Sequence, residues 1–380
     1  MLYSTPGSGP RSISRERSVA TNRAMLTTAA SPLLSVVAVS RNDDHGGDLA
    51  KRMQLFVNGL AFQAERHRLP LELVLVEWNP PAERPPLRAA LSWPREDEFF
   101  QARIVTVDPA IHARFDPRGV LPLFQMMAKN AGIRRARGRF VLATNVDLLF
   151  PDALFRTLRD DLREGVLYRN DRFDVARDVP DAAPFEAQIE FCRTHVLRQH
   201  RADGTFCQVG GRWVNTSPGA PRTSLGRLRR SASALRSASR RRLLRLHRNG
   251  AGDFTLLDRE SWFRLGAYPE WVVFSWHLDS VFLFQADANR LAFRTLPKDQ
   301  CAYHIDHGGG WTPEEAGGLF ARLAKAGIRV LTDEEVMGLR DEMEKKRRGG
   351  EPVVYNGPDW GLAGEELEEA WPLQPPAPSA

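Results

Sequence analysis

The sequence predicts an α/β protein built on a mostly parallel, doubly wound sheet, and three observations lead there. Four short apolar, β-branched runs, Leu33–Ser40, Leu71–Glu77, Ala102–Val107 and Phe140–Thr144, read as strands covered on both faces. Stretches with helical spacing alternate with them. Strands alternating with helices in this way form crossover units of a parallel sheet, with helices on its two sides.

The elements follow in order. After the opening strand, a helix from Asp48 to about His67 puts Leu49, Met53, Phe56, Leu60 and Gln63 on one face. The second strand ends at Trp78-Asn79-Pro80-Pro81, and the proline-rich stretch to Pro94 is loop. Leu123–Arg137 reads as a helix closed by Gly138, and Pro151–Leu162 as a helix with proline in its first turn. Gly165–Val175 reads as one further strand and Asp178–Ala220 as a less regular stretch. Regular texture resumes at Gly252, and Glu365–Ala370 reads as helix. The expected organisation is a disordered arm over 1–30, a domain over 31–330 with a basic insertion at 221–249, and a C-terminal helical extension and tail over 331–380. There is no internal repeat.

Composition excludes several classes. The chain has 380 residues, 42% of them hydrophobic and 26% charged, which is the balance of a globular protein. No run of 18 apolar residues occurs. Ala24–Val39 resembles a signal-peptide core, but Pro32 interrupts it and its end reads as a buried strand. Three scattered cysteines imply neither a disulfide framework nor a cysteine zinc site, and a reducing, cytoplasmic setting follows as the expectation. The net charge of +6 is local: Arg222–Arg248 holds ten arginines and no acid, so the other 353 residues sum to −4. Nucleic-acid binding is not expected, because the basic charge is not spread over the body of the chain. The arginine-rich segment instead suggests peripheral contact with an anionic membrane.

Ligands of such sheets bind at the carboxyl ends of the strands. No Gly-x-Gly-x-x-Gly, P-loop or Gly-x-Ser-x-Gly sequence stands there, which argues against dinucleotide, NTPase and α/β-hydrolase chemistry. Thr144-Asn145-Val146-Asp147 does stand there, and alternation puts Asn145 and Asp147 on one side, able to face a hard cation such as Mg2+ or Mn2+ or to form a strand-end turn. Tyr303-His304-Ile305-Asp306-His307 offers two imidazoles suited to Mn2+ or Zn2+, or to ordinary surface hydrogen bonds. Asp279, set among aromatic and apolar residues, is a base raised by desolvation or a helix cap. Asp253 follows Gly252 in the same region.

Taken in order over residues 33–330, these pieces resemble the inverting, family-2-like group of GT-A glycosyltransferases. The likeness rests on Ser40-Arg41-Asn42, Glu77, Lys129-Asn130-Ala131-Gly132-Ile133 through Arg137-Gly138, Asn145-x-Asp147, the stretch from Gly252 to Gln285, and the late histidines. It implies a GT-A type sheet flanked by helices, with an acceptor-side subregion, and a nucleotide-sugar donor, a UDP-sugar, with a glycan or lipid-linked acceptor. The resemblance assigns Arg41, Glu77, Asn130 and Arg137 to the nucleotide, and Asn145, Asp147, His304 and His307 to Mn2+ or Mg2+. It assigns Asp279 to catalysis and Asp253, Trp276 and Trp311 to acceptor or sugar, with Trp213 and Trp271 as further stacking candidates. Two positions depart from the family pattern: Asn145 replaces the first aspartate of the metal motif, and Leu278 replaces the glutamate before the catalytic aspartate. Both departures permit a non-catalytic nucleotide-sugar-binding protein, and the arginine-rich segment permits a polyanion or membrane-surface adaptor. A sugar-nucleotide pyrophosphorylase fits less well, because the first loop (RNDDHGGD) is acidic.

Overall fold

A computed structural model describes residues 31–95, 97–217, 246–307 and 313–373. The arm over 1–30, most of the basic insertion, Trp311 and the end of the tail lie outside the described residues.

The strands are β1 (Leu34–Ser40), β2 (Leu71–Trp78), β3 (Phe100–Val107), β4 (Phe140–Thr144), β5 (Leu148–Leu149), β6 (Val166–Arg169), β7 (Arg172–Val175), β8 (Val196–Arg201), β9 (Gly204–Val209), β10 (Arg212–Asn215), β11 (Phe254–Asp258), β12 (Ala292–Thr295), β13 (Ala302–Ile305) and β14 (Glu368–Ala370). The main helices are α1 (Leu49–His67), α2 (Gln125–Arg135), α3 (Asp152–Asp160), α4 (Phe185–Thr194), α5 (Arg259–Leu265), α6 (Leu278–Ala288), α7 (Pro313–Lys325) and α8 (Asp333–Gly349).

Eight strands form the large sheet in the order β12-β6-β11-β4-β1-β2-β3-β14, and only β11 and β14 run antiparallel to their neighbours. This is the mostly parallel α/β architecture the sequence predicts. Every residue of β1, β2 and β4 is buried, as their uninterrupted apolar runs require. Leu34, Val36 and Ala38 join one hydrophobic core with α1, while Val37 and Val39 join the other with α2, α5 and α6. The period-2 alternation of the strand sends its side chains to both cores.

Three readings change. Gly165–Val175 is two strands in two sheets: the chain leaves the large sheet after Arg169 and enters a second one at Arg172. The break falls at Asn170-Asp171, where Asn170 Nδ2 donates to the Gln300 carbonyl at 3.0 Å. The stretch called less regular carries α4 and the β8–β10 meander of that second, six-stranded sheet, ordered β10-β9-β8-β7-β13-β5. Glu365–Ala370 is not helical, since β14 adds to the free edge of β3. There Glu369 meets the buried Arg103 through both oxygens at 2.9 Å, and pairing outweighs the helix propensity of an acidic run. From the C-terminal extension, Val336, Met343, Val353, Trp360 and Leu367 lie in the same core as Val37 and Val76.

Candidate active site

Strand register assembles the site at the carboxyl end of the large sheet. Phe254 pairs with Thr144, so the residue before β11, Asp253, faces the residue after β4, Asn145. Thr144 Oγ1 donates to the Asp253 carbonyl at 2.6 Å, and Asn145 Nδ2 donates to Asp253 Oδ1 at 2.6 Å. Asn145 Oδ1 in turn accepts from Gln125 Nε2 at 2.9 Å. Arg172, the first residue of β7, completes the group with Nη1 on Asp253 Oδ2 at 2.7 Å.

Asp147 enters a different cluster. It precedes β5, and β5 pairs with β13 so that Leu148 sits opposite His304. His304 also sits opposite Asp174 of β7. Asp147 Oδ2 lies 3.0 Å from Arg52 Nη1 of α1, 3.3 Å from His307 Nε2 and 3.6 Å from His304 Nε2. One donor atom from each of Asp147, His304 and His307 falls within 4.8 Å of the others. Asp147 Oδ1 is buried without a hydrogen-bond partner. His304 Nδ1 stands 3.1 Å from Asp174 Oδ1, and this fully buried carboxylate also receives Arg172 Nε and Arg198 Nε at 2.7 Å each.

Charge explains how these groups tolerate burial. Desolvation opposes the ionised Asp147, but His304 and His307 hold its carboxyl well below the usual range. Burial and Arg172 oppose protonation of His304, yet Asp147 and Asp174 together raise its pKa to about 9. A carboxylate and two imidazoles, one of them backed by a second carboxylate, is an arrangement able to hold a borderline divalent cation. Asp147 Oδ1 is the oxygen left over for it.

A cleft of about 1280 Å3 opens beside this cluster, with Asn145, Arg172, Asp253, Trp276, Asp279 and Asp333 among its walls. Asp279 is the second residue of α6, and its Oδ1 accepts the first-turn Ser280 N–H at 2.7 Å, while the N-cap His277 makes no side-chain cap. Burial raises the Asp279 pKa, opposed by the Ser280 N–H and by Arg169 and Lys129. Lys129 is fully buried and donates from Nζ to the Gly252 carbonyl at 2.6 Å, and desolvation lowers its pKa to about 8. Arg169, also buried, donates to the carbonyls of His247, Asn249 and Ala251. Gly252 passes close to the acid: a Cβ there would lie 3.6 Å from Asp279 Oδ2. Trp276 stands edge-on to Phe320 at 5.7 Å between ring centroids.

The other expected residues scatter. Arg41 donates from Nη1 to the Pro122 carbonyl and lies 3.3 Å from Asp43. Glu77, 1% exposed, accepts the Leu87 N–H at 2.8 Å, and burial raises its pKa. Asn130 is not brought to the cleft: it is fully buried, bonded to the Tyr268 carbonyl and N–H and to Glu270. Arg137 stands at the opposite, amino-terminal edge, its backbone N–H on Glu72 near the start of β2. A nucleotide-binding role fits neither Asn130 nor Arg137, the one consumed by the core and the other on the wrong side of the sheet. Trp213 lines a second cavity, and Trp271 packs edge-on to Tyr355 at 5.1 Å.

Sequence reasoning missed Arg52, Arg172 and Asp174. A signal existed for each. Arg52 falls inside the apolar stripe of α1, between Leu49 and Phe56. Arg172 and Asp174 alternate with Phe173 and Val175, which places two opposite charges on one face of a strand.

No family model and no curated protein matches this sequence. Solved structures are similar to this chain at low identity and TM-score. One is GalNAc-T7 with UDP, GalNAc and Mn2+, at a TM-score of 0.41 and 12% identity, covering 88% of this chain and 56% of that one. S. aureus TarS 1-349 in complex with UDP-GlcNAc follows at 0.40 and 13%, covering 84% and 73%. S. aureus TarS stands at 0.39 and 14%, covering 84% and 44%. This chain thus spans little more than half of the GalNAc-T7 chain, and its own residues must carry the functional reading.

Proposed function

We propose that this chain is a GT-A type glycosyltransferase, moving a sugar from a UDP-sugar to a hydroxyl of a glycan or lipid-linked acceptor with inversion at the anomeric carbon. One observation carries the reading. Asp147 and the His304–His307 pair, from two distant segments, converge beside a cleft whose wall holds a carboxylate with a raised pKa.

The donor set fits a divalent cation. Asp147 Oδ1 is buried and unsatisfied, and mixed oxygen and nitrogen donors suit Mn2+ better than the all-oxygen preference of Mg2+. When bound, such a cation offsets the charge that develops on the departing diphosphate. Arg52 fixes Asp147, and Asp174 orients the His304 ring. Asp279 takes the proton of the acceptor hydroxyl as that oxygen bonds to the anomeric carbon, and the sugar–diphosphate bond breaks with its electron pair leaving on the nucleoside diphosphate. The raised pKa of Asp279 brings it closer to that of a base working near neutral pH. Trp276 offers an aromatic wall for a sugar ring. Arg222–Arg248 would draw an anionic or lipid-linked acceptor from the inner face of a membrane. Among the described residues no helix is long and apolar enough to cross one.

Titration of UDP-sugars with and without Mn2+ tests the reading. Mn2+ tightens donor binding to the wild-type chain and not to Asp147→Ala; identical titrations of the two in Mn2+ remove the metal centre from it. A non-catalytic sugar-nucleotide binder is the second reading, favoured by Leu278 at the glutamate position and by Arg52 already offsetting the charge of Asp147. Donor hydrolysis in the absence of acceptor separates the two.

A further inference from the structure

The loop after β1 carries an unassigned histidine to the Asp147 cluster. Its backbone is unusual: Asp44, Gly46, Gly47 and Asp48 all have φ between 52° and 77°, and two of the four are not glycine. Left-handed conformations at non-glycine residues persist where surrounding structure holds them. Here Asp44 Oδ1 accepts the Leu49 N–H at 3.1 Å, Asp43 Oδ1 accepts the His45 N–H at 3.1 Å, and Arg52 Nη2 donates to the carbonyls of His45 and Gly47. The same Arg52 guanidinium holds Asp147 through Nη1. One buried arginine therefore ties the loop to the cluster.

The tie sets the His45 ring against His307, at 5.8 Å between centroids and 67° between planes. His304 stands 5.2 Å from His307 on the same measure. An imidazole nitrogen binds such an ion at about 2.0–2.1 Å, which places the ring centroid about 3.2 Å from it. Two rings on one ion then have centroids about 4.5 Å apart at a right angle and about 6.5 Å apart when opposite. Both observed separations fall between these limits, but no His45 nitrogen lies within 4.8 Å of the donor atoms of all of Asp147, His304 and His307, so the His45 ring has to move toward the ion to join them. No side-chain hydrogen bond of His45 occurs among the described residues, although burial against His307 partly desolvates its ring.

We infer that His45 is a fourth protein ligand, completing a three-histidine, one-aspartate centre with Asp147, His304 and His307 and leaving positions for diphosphate oxygens. The inference rests on the metal centre proposed above. Four protein donors, three of them imidazole, select a borderline transition ion over Mg2+.

The test uses the full chain stripped of metal and titrated with Co2+ alone, followed by visible absorption and calorimetry. Wild type binds one ion, His304→Ala loses binding at least 100-fold, and His45→Ala weakens it by 10-fold or more with an altered Co2+ spectrum. Circular dichroism and melting confirm that the His45 variant, altered on an exposed loop, stays folded. If His45→Ala matches wild type in affinity and spectrum while His304→Ala fails, the His45 assignment is overturned and the three-ligand centre stands. If wild type and His304→Ala bind Co2+ alike, both ideas fall.

Discussion

Replacing His304 by glutamine in the metal-free protein gives a pH signature that can be calculated. His304 has a pKa raised to about 9, against about 6.5 unfolded. A group whose pKa is raised by folding contributes stability that is complete below the unfolded value and is lost as pH rises through the folded one. Linkage puts that contribution at about 2 kcal/mol at pH 7.5 and about 1 kcal/mol at pH 8.5. Other groups titrate in this range, among them Lys129 with its pKa near 8. They cancel when the variant is subtracted from wild type at each pH. Urea unfolding in EDTA should therefore show the cost of His304→Gln shrinking by about 1 kcal/mol between pH 7.5 and 8.5. The same proton must leave before an imidazole nitrogen can coordinate, so metal uptake at pH 7.5 should release close to one proton, read by calorimetry in buffers of different ionisation enthalpy. A cost that stays constant, or grows with pH, would refute the carboxylate-stabilised imidazolium between Asp147 and Asp174.

Two further outcomes follow from particular contacts. Asp279→Asn should lower turnover by roughly 10² to 10⁴ with donor affinity nearly intact; parallel loss of donor binding and melting temperature would make Asp279 structural. Gly132→Ala would set a Cβ 2.5 Å from Val37 Cγ1 and 2.9 Å from Val76 Cγ2, where α2 lies on β1 and β2. Such overpacking should cost about 1–3 kcal/mol in urea unfolding while leaving Mn2+ affinity at the distant Asp147 centre unchanged.

The amino-acid sequence by itself determined the four adjacent parallel strands at the heart of the large sheet. β1, β2, β3 and β4 are written in β-branched runs whose burial on two faces depends only on local composition, and their bounds agree with the structure to within two residues. It also determined which residue types stand at the carboxyl ends of those strands, and hence Asp147 as a candidate. Tertiary structure alone decided what surrounds them. Asn145 and Asp147, two apart on one strand end, part company because β11 pairs with β4 and β13 pairs with β5, and no local signal encodes either partner. The small sheet stayed illegible for the same reason. β6 and β7 are four residues each, and only their separate pairings with β11 and β13 show that the chain changes sheets between them. The acidic run at Glu368–Ala370 carries helix propensity locally, and becomes a strand because a buried Arg103, 266 residues upstream of Glu369, and an open edge of β3 wait for it. Spacing along a chain reports periodicity, which is local; the meeting of Asp147, Arg52, His304 and Asp174 is a matter of register between distant strands, and only folding sets that.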